Sequence, residues 1–408
     1  MKKIIFYLIC AILFLLPTYL VKFSIFNIPV TLLEILIYIA AILTLISNLK
    51  FKNPKPYSKI NNLIIPVLLF IIAGIIGVIV SPDKTISLGQ FKAFVFDPIL
   101  FFWILWINIT DQKQIKPLLY SLILSGIYVA GYSLWQYSVG QITEDGRVVG
   151  IFGYSPNYLT FYMVPVMILA ILVFYFNKTK NLWLNFLKFL LVILFFTSIY
   201  LAGSRAAMGA LVISAGAFFI FKYWGWIKAR KITVVFLSCY LVILLLAGYQ
   251  FIKPNFTSSN PGARITNSNN IRWEIYKVTI TEIIPSSWLW GVGLGNFQDY
   301  FSQLTEHRVN FPEWISPKAL TAHNIFLQTW MNGGLIGLVS FVWILVIAFS
   351  NINLSNKYSF SLLIILIAIL IQGLVDTPYW KNDLAIMFWF FIFLILMLKN
   401  YGQTQKNI

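Results

Sequence analysis

Polar chemistry is scarce in this chain. Its 408 residues include two cysteines, two histidines and 13 acidic side chains, and all charged residues together make up 11%. Cys10 and Cys239 both lie inside apolar runs, so neither a disulfide framework nor a thiol metal site is expected. Two histidines and scattered carboxylates offer no ligand set for a transition metal, and no cofactor is expected. So little charge also excludes an ordinary soluble globular domain. The basic excess, formally +17, sits in loops that lack the interleaved aromatics of a nucleic-acid groove. It reads as a topology signal plus attraction to anionic membrane lipids, with no nucleic-acid partner.

What the chain has instead is hydrocarbon: 59% of its residues are hydrophobic and 17% aromatic. Apolar runs long enough to cross a bilayer recur throughout. Twelve are expected, at residues 4–21, 29–47, 62–80, 93–109, 117–136, 157–177, 182–202, 206–221, 232–251, 324–349, 359–375 and 384–399. Such segments must satisfy their backbone internally, and their length favours helices over barrel strands. The fold class is therefore all-α, a polytopic integral membrane protein. The stretch Ile4–Leu16 has the flavour of a signal peptide, but no small-x-small cleavage site follows, and it reads as an uncleaved first span.

With the N-terminus inside, the cytoplasmic side collects seventeen lysines and arginines and the short outer loops only six. The positive-inside bias then puts both termini in the cytoplasm. Residues 1–251 carry the first nine spans, 252–322 form one long outer segment, and 323–408 carry the last three spans and a tail. About seventy residues are too many for a simple connector. Asn269-Asn270 is expected to cap a helix that stops before Pro285, and Asn296 to cap a second. In the second, Phe297, Tyr300, Phe301 and Leu304 share one face, suited to the membrane surface or to covering the bundle. No internal repeat and no broken span is apparent, which argues against a transporter or flippase.

Three groups stand out against this background. Ala202-Gly203-Ser204-Arg205 is a tight outer connection, and an arginine so near hydrocarbon must pair, snorkel or face water. Its planar fork suits a phosphate. Arg272 and Tyr276, four residues apart, share a helical face in the outer segment. His323, in Thr321-Ala-His323-Asn324 at the lip of a span, carries the side chain best suited to proton transfer near neutrality. Each has a plainer reading, as a snorkelling arginine, a surface arginine and an interfacial histidine. His307, in the charged run Glu306-His307-Arg308, is taken as the plain case. Asp376, Lys381 and Asp383 lie in the last outer loop, where Asp376 can help orient a substrate, and Lys92 with Asp97 forms a candidate ion pair.

The order of these pieces resembles the O-antigen ligase and polymerase superfamily of bacterial envelope glycosyltransferases. The matching segments are Gly146-Arg147-Val-Val-Gly150 through Pro156-Asn157, Gly203-Ser204-Arg205, Arg272-x-x-x-Tyr276, Pro285 and Trp290-Gly-Val-Gly-Leu-Gly295-Asn296. His323-Asn324, Gly334-Leu-Ile-Gly337 and Asp376-Thr-Pro378 complete the series. Two departures are visible: that family often has tryptophan where Tyr276 stands and an acidic residue near Asn332. The resemblance implies a GT-C-like membrane transferase that takes a glycan from an undecaprenyl-pyrophosphate carrier at the outer face of the cytoplasmic membrane. It further implies that Arg205 and Arg272 bind the pyrophosphate, that His323 is the base, and that catalysis is metal-independent and inverting. Ser204, Asn324, Tyr276, Arg147, Asn157 and Asp376 are the supporting residues. Trp273, Tyr276, Trp288, Trp290 and Trp314 can stack on sugars or form an interfacial belt. The acceptor, lipid A-core for a ligase or another lipid-linked glycan for a polymerase, stays open.

Overall fold

The computed structural model describes residues 1–25, 28–50, 61–153, 155–177, 179–227, 268–306, 319–354 and 356–404. The expected span 232–251, His307 and Trp314 lie outside them. The chain is a polytopic helical membrane protein. Nine helices among the described residues are long and apolar enough to cross a bilayer.

In chain order, α1 is Lys2–Phe14 and is followed by a short 3₁₀ turn, Leu16–Leu20. The first expected span, 4–21, is therefore interrupted where Pro17 enters, because proline cannot continue the hydrogen-bonding of the preceding turn. A hairpin, β1 (Lys22–Ile25) and β2 (Ile28–Thr31), was not foreseen; its antiparallel register pairs Lys22 with Thr31. Then come α2 (Leu32–Lys50), α3 (Asn61–Val80) and α4 (Lys84–Asn108), the last containing a π turn at Lys92–Phe96. Ile115–Ser138 is α5, Pro156–Phe176 α6, Leu182–Leu201 α7 and Arg205–Ile227 α8. The outer segment supplies α9 (Ser268–Val278) and α10 (Phe297–Thr305). The last helices are α11 (Ile325–Ser350), α12 (Lys357–Gly373, shorter than a typical span at 17 residues) and α13 (Asn382–Thr404).

The helices fall into two compact units: Met1–Ile115 with Gly262–Asn353 and Gly373–Ile408, and Lys116–Pro261 with Leu354–Gln372. In unit 1, α13 is the central element, with 89% of its span buried, and it packs against the second half of α4. In unit 2 the same place is taken by α6, 78% buried, whereas α7 is only 17% buried.

Within unit 1, α3 and α11 approach closely through small residues. A Cβ at Gly77 would collide with the Asn332 carbonyl, and one at Gly333 would sit 3.2 Å from the Ala73 Cβ. Small residues are what allow backbones in a membrane to come this near. Beside this contact α11 is broken: Gly333 (φ −133°) and Gly334 (φ 64°) leave the helical region about 13 Å along the helix. No broken span is expected from the sequence, and this break corrects that expectation. The break is filled by the glycine loop 288–295. Val292 N–H donates to the Met331 carbonyl at 2.8 Å, and Leu335 N–H donates to the carbonyls of Trp288 and Leu289, each at 3.1 Å. Leu294 N–H donates to the Gly77 carbonyl at 3.0 Å, which ties the loop to α3 as well. Backbone groups freed by the break thus find protein partners, as membrane depth demands.

The Lys92–Asp97 pair is also corrected. Lys92 pairs with Glu34 at 2.9 Å, and Asp97 accepts from the Tyr38 hydroxyl at 2.8 Å. Glu34 is fixed for this role by a reciprocal cap with Thr31, whose N–H it accepts at 3.0 Å.

Candidate functional site

In the outer segment, helix does not end at Pro285 as expected. It runs on from α9 through a π turn, Thr279–Ile283, into the helical turn Ile284–Ser287. The wider π turn makes room upstream of the proline ring, which would otherwise strike the carbonyl four residues back. Asn296 stands at the N-cap of α10, but its amide donates to the Val292 carbonyl at 2.8 Å and does not cap. Phe297 and Phe301 from the expected stripe are buried against Ile275, Val278, Val292, Ala322 and Met331. That stripe therefore packs on the segment's own core and on α11, while Leu304 is left exposed.

This packing fixes α9, and with it Arg272 and Tyr276 on one face. The Tyr276 hydroxyl shares its proton between the carbonyls of His323 (2.7 Å) and Leu374 (3.0 Å). It so bridges the turn before α11 to the turn before α13. Burial pushes its phenol up to about 12, with Arg272 opposing and Asp376 adding to the rise, so it remains a donor.

Asn324 is the N-cap of α11. Its side-chain oxygen accepts from Phe326 N–H (2.9 Å) and Leu327 N–H (3.1 Å), and its amide donates to the Leu374 carbonyl at 3.0 Å. Asn324 thereby fixes the backbone next to His323. Gln328, one turn along, accepts from Ala322 N–H at 2.8 Å and donates to Asn332 Oδ1 at 2.9 Å. Asn332 is thus a buried amide in that chain of hydrogen bonds.

Held from both sides, His323 sits at φ 45°, the one non-glycine residue with positive φ among the described residues. Such a conformation persists only where its surroundings enforce it, and it clusters at functional sites. Its Nδ1 faces Asp376 Oδ1 at 3.4 Å, an ion-pair distance longer than a well-formed hydrogen bond. Catalytic contacts of this kind often tighten only when substrate binds. Burial works to raise the Asp376 carboxyl, but His323, Arg272 and the Thr377 N–H (2.9 Å) outweigh it and hold the group below the usual carboxylate range. An ionised Asp376 favours the proton on Nδ1 and leaves the Nε2 lone pair as acceptor. Nearby, burial lowers the Lys381 ammonium, with Asp376 and Asp383 opposing.

Unit 2 holds the other predicted residues. Thr143 donates to Asp145, whose carboxylate pairs with Arg147 Nε at 2.6 Å. The Arg147 stem lies over Gly203: a Cβ there would be 2.8 Å from its Cδ, and Gly203 has φ 61°. Val148 N–H donates to the Leu201 carbonyl at 3.1 Å, which stitches the two segments together. Ser204 is buried with its hydroxyl lacking a protein partner, and Arg205 opens α8 with no hydrogen bond or ion pair among the described residues. Asn157 lies in the first turn of α6, behind its Ser155 cap. The structure thus gathers Arg272, Tyr276, His323, Asn324 and Asp376 in unit 1, and Arg147, Ser204 and Arg205 in unit 2. Sequence reasoning missed Gln328, though a glutamine inside an apolar span was a visible signal. It also missed the backbone carbonyl of Leu374, which no side-chain pattern encodes.

Among the described residues no group of three or more His, Cys, Asp or Glu side chains is placed to hold a metal ion. No curated protein matches the chain. The O-antigen ligase family matches residues 189–342, a stretch that runs from α7 through Arg205, Arg272 and His323 into α11. This match supports the O-antigen ligase superfamily for the part of the chain that carries these residues.

Proposed function

We propose that this protein transfers a glycan from a polyprenyl-pyrophosphate carrier, undecaprenyl in bacteria, to an envelope acceptor at the outer face of the cytoplasmic membrane. The observation that supports this reading most is His323: strained, tied to α9 and to the turn before α13, and set with Nδ1 toward an ionised Asp376. A histidine so held is a positioned general base.

In the reaction, the acceptor hydroxyl gives its proton to His323 Nε2 while its oxygen attacks the anomeric carbon. The bond from that carbon to the phosphate oxygen breaks, and the pyrophosphate leaves on its lipid carrier. One displacement inverts the anomeric configuration. Negative charge grows on the leaving pyrophosphate, and fixed cations lower the barrier. Arg272 and Arg205 serve there, the first within the field of Asp376 and the second without a protein counter-charge among the described residues. Asp376 holds the ring, and Tyr276 holds the backbone that carries it.

Ligase and polymerase differ in the acceptor alone, lipid A-core or a second lipid-linked glycan. The broken α11 is the one feature a transporter reading can claim. Its gap is occupied by loop 288–295 of the same chain, which speaks for a structural use.

The test is reconstitution of purified protein with a defined undecaprenyl-pyrophosphate glycan and both acceptor types, followed by mass spectrometry. Appearance of a glycosylated acceptor together with undecaprenyl pyrophosphate supports the reading. Donor movement across the vesicle bilayer without covalent change would replace it with transport. Orientation is checked separately: a cysteine at Ser302 should react with an impermeant maleimide in intact spheroplasts, and labelling only after permeabilisation would reverse it.

A further inference from the structure

We propose that unit 2 carries a binding site for one anionic glycerophospholipid of the cytoplasmic leaflet. The site is a cavity of about 720 Å³ between the start of α5, the end of α6 and the start of α7. The basic-residue distribution assigns this end of the unit to the cytoplasmic side.

Its lining divides by chemistry. At the mouth stand Lys116, Lys188, Asn177 and Thr179, with no carboxylate among the lining residues. The rest of the lining is apolar or aromatic: Leu184, Leu187 and Leu191 on one face of α7, with Tyr120, Phe174 and Phe176. Lys188 does not simply reach for water. Its Nζ donates to the Asn177 carbonyl at 2.8 Å and lies 5.9 Å from the Phe174 ring centre. The Lys116 Nζ is 5.8 Å from the Tyr120 ring centre. Both amines are thus held at the cavity wall beside aromatic rings, and each keeps donors to spare.

Two ammonium groups beside an apolar and aromatic lining match a phosphodiester headgroup with its acyl chains. Basic pockets between membrane helices on the cytoplasmic side bind anionic headgroups for this reason. The neighbouring sequence adds Lys178 and Lys180 in the same connection and Lys113 before α5. The sparse burial of α7 leaves room for a lipid at this flank. A second cavity of unit 2, about 410 Å³, is lined almost wholly by carbon and offers no such charge.

The full-length protein is purified and exchanged into mixed micelles holding phosphatidylglycerol or phosphatidylcholine. Lipid retention is then counted by native mass spectrometry, with thermal melting read in parallel. The expected result is one tightly retained phosphatidylglycerol per chain and a melting point several degrees above that in phosphatidylcholine. K116Q/K188Q should cut retention at least fivefold, whereas K22Q/K277Q, with equal charge loss elsewhere, should not. If the double variant fails to fold, K116Q alone decides, because that amine makes no hydrogen bond among the described residues. At least a threefold loss is expected there. Equal retention of the two lipids by the unaltered protein, or unchanged retention in the lysine variants, would overturn the site. Neither outcome bears on glycan transfer.

Discussion

Arg147 and Arg205 stand on either side of Gly203 in unit 2, while Arg272 shares a helical face with Tyr276 in unit 1. Their surroundings differ. In unit 1 the hydrogen bonds of Tyr276, Asn324 and Gln328 converge on the turn that carries His323, so its geometry is set before any substrate arrives. In unit 2 Arg147 is neutralised by Asp145, but Arg205 and the buried Ser204 hydroxyl have no protein counterpart among the described residues. A buried polar atom without a partner normally costs about 1–3 kcal/mol. On the proposed reading, unit 1 positions the base and unit 2 offers an arginine and a hydroxyl to an anion.

The sharpest way to break it is His323→Gln. Turnover should fall by roughly 10²–10⁴-fold, the range for a lost general base, with donor binding retained because the arginines carry it. His307→Ala should behave like the unaltered protein. Normal turnover in the glutamine variant would demote His323 to an interfacial residue and dissolve the contrast.

Next in size are the arginines. Arg205→Lys and Arg272→Lys should each lose about 2–4 kcal/mol of transition-state stabilisation, since an ammonium cannot form a bidentate fork. Arg147→Lys, with its charge already matched, should stay within about tenfold of normal. Steady-state kinetics on the three variants at equal expression would show whether charge compensation by Asp145 is the distinction that matters.

Asp376→Asn tests the orienting arm. The native carboxyl titrates below its unfolded value, so its stabilising contribution is complete above about pH 4 and is lost as the pH falls through the native value. The melting-point gap between the two proteins should therefore persist at neutral pH and close only in strong acid. A gap that instead closes between pH 8 and 6 would mean that Asp376 is not ionised beside His323. The smallest effect is expected from Tyr276→Phe. It keeps the ring and removes one shared hydrogen bond, about 1 kcal/mol, and should lower kcat with little change in donor KM.

Much of this could be read from sequence, and the failures have physical causes. Membrane spans are visible because a bilayer demands twenty apolar residues in a row, and Arg272 with Tyr276 is visible because helical spacing is local. The partner of Lys92 was misjudged because Glu34 comes from a helix far away in the chain. The continuation past Pro285 was missed because a π turn has no marked composition. The use of Asn324 as a helix cap is the ordinary use of an asparagine just before an apolar helix. The left-handed backbone at His323 is held by contacts with α9 and with the turn before α13, and no local pattern announces it.

The glycine loop at 288–295 has a consequence for how the molecule is made. During synthesis α3 is complete more than two hundred residues before its partner loop exists, and the loop is complete before α11 emerges. Until all three meet, Met331 and Leu335 leave peptide groups bare at the break. Handed to the bilayer alone, α11 would have to stay straight there or wait in the insertion machinery. The chain's C-terminal part should therefore mature late, and truncations that end within α11 should be cleared by quality control even though every preceding span is intact.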